Sequence, residues 1–197
     1  MKIKGLRWMA TFLAACMLMG AVPATAFAAK DAGTPPTYNS ATGCYEISTP
    51  AQLLYLAGKW KDGAPRDGHY VLTADIDMTG VKGFKPIASK KDQGFTGTFD
   101  GQFHSIKGLR VEYEKKYAGL FGYVGNQDDQ AYIKNVALLD CYVTGQQNVG
   151  ALAGVNYGTI TDCVVTGEVK CLDLSNSHTA GGICGKLKEG EGPIVGH

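Results

Sequence analysis

The sequence lacks charge imbalance, and it lacks most of the short signatures that mark chemistry. Its 197 residues carry 19 Lys+Arg against 18 Asp+Glu, with no block of like charge. That argues against nucleic acid or a strongly charged membrane surface as a partner. No C-x-x-C occurs, which removes the usual zinc and dithiol sites. There is no H-E-x-x-H for a zinc peptidase and no G-x-S-x-G nucleophile elbow. "GGICGKL" imitates a phosphate-binding loop, but Ala180 stands where the first Gly is required and Leu187 where Ser or Thr is required. Long hydrophobic runs are absent after residue 28, so no later segment is expected to span a bilayer.

The first 28 residues are read as a secretory signal peptide. Lys2, Lys4 and Arg7 precede the apolar run Trp8 to Val22, and "ATAFAA" (Ala24 to Ala29) supplies small residues for cleavage. The run is shorter than the roughly 20 residues a spanning helix needs. "LAAC" (Leu13 to Cys16) looks like a lipobox, but the residues after Cys16 stay apolar, unlike a lipoprotein tether. Cleavage leaves 16 Lys+Arg against 18 Asp+Glu, and enough chain for one cored domain. Export permits disulfides. The five remaining cysteines, Cys44, Cys141, Cys163, Cys171 and Cys184, are odd in number, so at least one is free. Cys163 and Cys184 are read as small core residues.

Residues 29–44 are polar and contain Pro-Pro, and are expected to be a flexible lead-in. "TPAQLLYLAGKW" (Thr49 to Trp60) predicts a helix with Thr49 as N-cap, Pro50 at N1 and Gln52 completing a capping box. Leu53, Leu56, Ala57 and Trp60 share its apolar face. The period then changes to two. Tyr70, Leu72, Ala74, Ile76 and Met78 alternate with more polar neighbours, and short strands follow, separated by Gly, Pro or Asp.

Two signals repeat. "AGLFG" (Ala118 to Gly122), "GALAG" (Gly150 to Gly154) and "GGICG" (Gly181 to Gly185) share the form small–small–apolar–x–Gly, with an Ile after each: Ile133, Ile160 and Ile194. Gly119, Gly122, Gly150, Gly154, Gly181, Gly182 and Gly185 are the box glycines. Asn135 aligns with Asp162, and Val136 with Cys163. "DCYVTG" (Asp140 to Gly145) recurs as "DCVVTG" (Asp162 to Gly167), but out of phase with the boxes. The boxes, with three copies, set the expected period, and the two phrases are then expected on different strands of one coil. The alternative is a 22-residue coil with the phrases stacked directly. Either way, a unit of short strands ended by Gly or Asx buries its apolar face only by stacking. The expected fold is all-β: a right-handed parallel β-helix with a short N-terminal capping helix over residues 45–197. An antiparallel sandwich is the competing architecture, and it predicts no phased repeat.

The boxes with their trailing I-x-[ND]-[VC] resemble the GLUG motif of bacterial exported proteins. "YEISTPAQLLYLAG", "YVLTADIDMTG", "FKPIAS" and "FTGTFDGQFHSIKGL" look, in that order, like the start of such β-helices. The resemblance implies a secreted or surface-displayed repeat module of the adhesin-like kind. It is also similar to the non-catalytic region ahead of the peptidase domain in immunoglobulin A-specific metallopeptidases. It carries no shared catalytic residues and implies no cofactor. A cell-surface or host glycan or protein is the class of partner it suggests. Ile194 opens a strand three residues before the last residue, and the chain is read as the amino-terminal piece of something longer.

For chemistry, Asp75 and Asp77 at i, i+2, with Asp100, form the best acidic set, for calcium or for acid–base work. The plainer reading is Asx turns. His69, His104 and His178 are scattered. Tyr113, Tyr117, Tyr123, Tyr132, Tyr142 and Tyr157 are candidates for a sugar-binding face. Two classes remain: a non-catalytic surface module, or a carbohydrate-active β-helix enzyme. Paired carboxylates in a groove beside Arg or Lys favour the enzyme; a smooth flank of stacked turns favours the module.

Overall fold

A computed structural model describes residues 33–58, 64–173 and 179–188, and the strand at 194–195. The expected signal peptide, Trp60 and His178 lie outside the described residues. In chain order the elements are β1 (Thr37–Asn39), β2 (Cys44–Ile47), α1 (Pro50–Gly58), β3 (His69–Leu72), β4 (Ile76–Asp77), β5 (Thr98–Asp100), β6 (Ser105–Lys107) and β7 (Arg110–Ala118). There follow β8 (Phe121–Val124), β9 (Tyr132–Lys134), β10 (Ala137–Gly150), β11 (Ala153–Asn156), β12 (Thr159–Thr161), β13 (Val164–Cys171), β14 (Ala180–Gly181), β15 (Cys184–Leu187) and β16 (Ile194–Val195).

These strands make a parallel β-solenoid with three faces. On the first face the order is β1-β2-β3-β5-β9-β12-β16, and every pair after β1–β2 is parallel. The second face runs β13-β10-β6-β4, with β7 and β14 also on β10; the third runs β15-β11-β8. The sandwich alternative is therefore excluded.

The alternation of period two explains the core. On the first face Tyr45 pairs with Tyr70, Tyr70 with Phe99, Phe99 with Ile133, and Ile133 with Ile160. Ile160 continues the backbone ladder to Ile194. Tyr70, Phe99, Ile133 and Ile160 are each at most 1% exposed. On the second face the matching column is Ile76, Ile106, Leu138 and Val165. Aromatic rings also step along the axis: Tyr45–Tyr70 stack at 5.2 Å, Tyr70–Phe95 lie at 6.0 Å and Phe95–Phe121 at 5.1 Å between centroids. Apolar side chains meet from coil to coil because strands one coil apart lie only about 4.8 Å from each other.

The glycines of the boxes mark where backbones pass closest. A Cβ on Gly154 would sit 2.6 Å from the Tyr117 Cα, and one on Gly185 would sit 2.5 Å from the Asn148 carbonyl carbon. On Gly122 it would sit 2.6 Å from the Ser89 Cα. The backbone beneath turns through the left-handed region at Ala88 (φ 53°), Tyr117 (φ 68°) and Asn148 (φ 48°). Each closing glycine thus packs against a tight corner of the coil below. Gly182 differs: nothing lies within 4 Å of its virtual Cβ. The boxes are in step from Gly150 to Gly181 and from Ala153 to Cys184. Between the first two, Ala118 pairs with Val149 but Phe121 with Ala153, so one extra residue is absorbed inside the second box.

The repeated phrases do not occupy two strands of one coil, and they do not stack directly. They lie on adjacent coils of the second face, out of register: Cys141 pairs with Gly167, and Gly145 with Cys171. The two aspartates mark different irregularities. Asp162 (φ 52°) takes the same corner as Asn135 (φ 55°), whereas Asp140 (φ 51°) sits at a bulge between Leu138 and Cys141. Short polar side chains tolerate this backbone better than most, so similar phrases arose at dissimilar places. The stretch Tyr70–Met78 is likewise two strands around a corner. Its buried set, Tyr70, Leu72, Ile76 and Met78, alternates straight through the bend.

The amino-terminal end is closed. Part of the expected flexible lead-in is a paired strand: β1 runs antiparallel to β2, with Tyr38 opposite Tyr45. Edge strands are hazardous when left bare, and β1 covers this one. Helix α1 packs beside it, with Leu53 and Leu56 at most 1% exposed in the main core. Thr49 caps its start as expected, its Oγ1 accepting the Gln52 N–H at 3.3 Å, but the return bond of the capping box lands one residue early: Gln52 Oε1 accepts from the Ser48 N–H at 2.8 Å. A carboxylate at position 56 would be buried without a partner. Leu56→Asp is expected to cost about 3–5 kcal/mol, read as a lowered midpoint in chemical unfolding; an unchanged midpoint would contradict the capping role of α1.

Candidate functional surfaces

The solenoid positions side chains in outward columns, and these are where a site would form. Asp75, Asp77 and Asp100 fall on three different jobs. Asp77 Oδ1 accepts the Thr79 N–H at 2.9 Å, closing an Asx turn. Asp75 Oδ1 accepts the Ser105 N–H at 2.7 Å, one strand over. Asp100 Oδ1 accepts the Gln102 N–H at 2.9 Å and Asn135 Nδ2 at 3.0 Å, while Oδ2 meets Lys134 Nζ at 3.2 Å. All three carboxyls are held below the usual carboxylate range. The Ser105 N–H is the main cause at Asp75, and the Thr79 side chain at Asp77. At Asp100 partial burial opposes ionisation, but Asn135, Gln102 and Lys134 together outweigh it. Among the described residues, no three His, Cys, Asp or Glu side chains are grouped to hold a metal.

Asp75, His104 and Ser105 meet. His104 Nδ1 lies 3.4 Å from Asp75 Oδ1, the same oxygen that accepts the Ser105 N–H.

Of the candidate tyrosines, three come together. Tyr123 and Tyr157 stack at 6.0 Å and Tyr117 meets Tyr123 edge-on at 4.8 Å. With Val155 they form a second, small apolar cluster outside the main core. Tyr123 and Tyr157 are only 4% and 8% exposed, so their faces are already used, and burial raises the Tyr123 phenol pKa. Tyr142 is covered by Arg110, 4.3 Å from its ring centre, with Lys170 at 5.4 Å. Tyr132 remains 47% exposed, and Tyr113 packs against the core. The six do not assemble into one sugar-binding face.

A cleft of about 460 Å³ was not foreseen from the sequence. It is lined by Arg66, Asp67, Thr96, Asp128, Asp129 and Gln130. The loops that form it come from three coils, and nothing in their local patterns links them. Its carboxylates are solvent-exposed. One of them is tied up: Asp129 Oδ2 accepts Asn126 Nδ2 at 3.0 Å, inside a turn where Asn126 Oδ1 accepts the Asp128 and Asp129 N–H groups at 2.7 Å.

The five cysteines among the described residues are free thiols. Cys163 and Cys184 pack against the core, and burial pushes both thiols up to about 11. The glycines and asparagine-type residues of the repeat are structural in placement: Asn135 and Asp162 at one corner, Gly122, Gly154 and Gly185 against the backbone below.

With this geometry in view, the likeness to known proteins is specific. Residues 145–170 match the GLUG motif. That segment runs from the end of β10 through β13 and contains the second box, Ile160 and Asp162. The chain is a β-solenoid that carries the GLUG motif. It is 32% identical over 151 residues to Halomucin of Haloquadratum walsbyi, covering 72% of this chain and 2% of that protein. It is also 32% identical over 130 residues to a protein of Evansella cellulosilytica described as a Gly-rich membrane protein, covering 61% and 14% respectively. The chain thus spans a small fraction of these relatives. A solved Bacteroides ovatus protein assigned as an immunoglobulin A1 protease aligns over 84% of this chain and 66% of its own, with 17% identity and a TM-score of 0.45. Among the described residues, no helix is long and apolar enough to cross a membrane.

Asp100 gives a pH prediction. Its folded pKa is depressed, so its contribution to stability is present above the unfolded value, near 3.8, and is lost as pH falls through the folded value. The Asp100→Asn variant is expected to keep the Gln102 turn and to lose part of the acid sensitivity. Thermal melts of the two proteins should converge as pH is lowered from 6 toward 2; a constant gap would contradict this.

Proposed function

We propose that the chain is a non-catalytic module of an exported surface protein, serving as a binding or stalk segment. The observation that supports this reading best is the use of its polar groups. Asp75, Asp77 and Asp100 each serve backbone N–H groups at or beside corners. A carboxylate committed in this way has its pKa lowered, which is opposite to what a general acid at neutral pH needs. A stacked-coil rod suits display: its length grows by one coil at a time, and its flanks carry side chains without altering the core. The names of the relatives, a halomucin and a membrane protein, fit a surface repeat module. The apolar leader read at residues 1–28 supplies the export route in this proposal.

The second reading is a carbohydrate-active enzyme, and the cleft beside Arg66 is where it would act. Asp67, Asp128 and Asp129 are its carboxylates, and fold alone decides nothing here. A panel of polysaccharides separates the two. The proposal expects no hydrolase or lyase activity, with or without added calcium, and no change in that result for Asp77→Asn or for Asp67→Asn with Asp128→Asn. Reproducible cleavage that the cleft pair abolishes, with an unchanged circular dichroism spectrum, would replace the module with the enzyme.

A further inference from the structure

The coil that carries β9 uses more chain at one corner than its neighbours do. In the coil below, Phe95 and Thr98 are three residues apart; in the coil above, so are Asn156 and Thr159. The residues paired with them, Val124 and Tyr132, are eight apart. The solenoid closes without the five extra residues, 126–130, and ordering them costs conformational entropy. They are fixed all the same, because Asn126 Oδ1 accepts the Asp128 and Asp129 N–H groups. They supply Asp128, Asp129 and Gln130, half the lining of the cleft of about 460 Å³.

The polar groups there differ from those on the rest of the flank. Asp75, Asp77 and Asp100 are committed to N–H groups. The Asp67 and Asp128 carboxylates accept no hydrogen bond from another described residue, and the Arg66 guanidinium donates one, to the Asp92 carbonyl oxygen at 3.5 Å. Arg66 forms no ion pair within 4.0 Å with the aspartates that line the cleft beside it, although Arg110 and Lys134 each hold a carboxylate elsewhere. Tyr132 stands at the mouth. Ile133 is buried in the core, so alternation turns the Tyr132 ring outward, where it is 47% exposed. Its hydroxyl donates to Gln130 Oε1 at 3.4 Å.

We propose that this cleft binds a neutral glycan, with one sugar ring laid on Tyr132 and neighbouring hydroxyls hydrogen-bonded by Arg66, Asp67 and Asp128. The inference rests on the reading of the chain as a non-catalytic binding module and names the class of its ligand. The volume falls within the range of small-molecule sites, about 300–1,000 Å³, but such sites are mostly apolar. This lining is polar throughout, which suits a ligand that carries donors and acceptors all round its rim. A pyranose ring also has apolar C–H faces, and an exposed aromatic ring at the mouth gives them a surface to stack on. Three carboxylates against one guanidinium repel uronic and sialic acids, which leaves neutral sugars.

The test is isothermal titration calorimetry of the purified chain with neutral hexasaccharides of glucose, mannose, galactose and N-acetylglucosamine, and with a hexamer of galacturonic acid as the acidic probe. At least one neutral hexamer is expected to bind, about tenfold or more tighter than the acidic one. Tyr132→Ala and Asp128→Ala are each expected to weaken that binding about tenfold or more. Both side chains are exposed, so the circular dichroism spectrum should not change. Phe103→Ala removes an aromatic that is 81% exposed at the far end of the same strands, where its N–H meets the Asn135 carbonyl, and is expected to leave binding as it was. No binding of any neutral hexamer, a preference for the acidic one, or binding indifferent to both Tyr132→Ala and Asp128→Ala would overturn the proposal. Product analysis of the same mixtures separates it from the reading beneath it. Cleavage of the bound sugar would support the ligand class and overturn the non-catalytic module; neither binding nor cleavage would overturn the ligand class and leave the chain a stalk.

Discussion

The structure depends on how closely one coil can lie on the next. Strands of a parallel stack sit about 4.8 Å apart, and at the corners the backbone has to turn within that spacing. Here the lower coil turns through left-handed residues, Tyr117 and Asn148, and the upper coil answers with Gly154 and Gly185. Any side chain at the closing glycine would occupy space held by backbone. The core columns, the register and the outward display of side chains all follow once that approach is allowed.

The same constraint explains why the polar chemistry of the chain is inward-looking in purpose although exposed in place. Every coil has corners, and every corner leaves N–H groups unpaired within its own strand. Asp77, Asp100 and Asn126 satisfy such groups at close range, and Asp75 reaches across to Ser105. Acidic residues collected by this demand look like a site in a sequence and are spread along a flank in the fold. The cleft beside Arg66 arises differently, from loops that bulge out of the coil.

The parts of the fold legible in the sequence were those fixed by local chemistry. Thr49, Pro50 and Gln52 announced the helix start, and the glycine boxes announced stacking, because backbone sterics admit few alternatives at either place. The column Tyr45, Tyr70, Phe99, Ile133 and Ile160 was legible only in its last members. Its rungs are 25, 29, 34 and 27 residues apart, and the residues change from aromatic to aliphatic. Loop length is free where a coil bulges, so no single period exists to find. The repeated Asp-Cys phrase misled for the complementary reason. Asp tolerates left-handed backbone better than most residues, at the corner of Asp162 or the bulge of Asp140, and so it reports local conformation without reporting register. The cleft was hidden because Asp67, Thr96 and Asp128 come from separate coils.

The closing glycine is needed for space, and not merely because it belongs to a motif. Gly154 and Gly182 are both box glycines and separate these two explanations. Differential scanning calorimetry of Gly154→Ala and Gly182→Ala tests it directly. Gly154→Ala must push Tyr117 backbone away from a 2.6 Å contact; at about 1–3 kcal/mol for overpacking, Tm should fall by about 4–10 °C. Gly182→Ala meets nothing within 4 Å and should stay within about 2 °C of the wild type. Equal losses for the two variants, or an unchanged Tm for Gly154→Ala, would contradict the close-approach account.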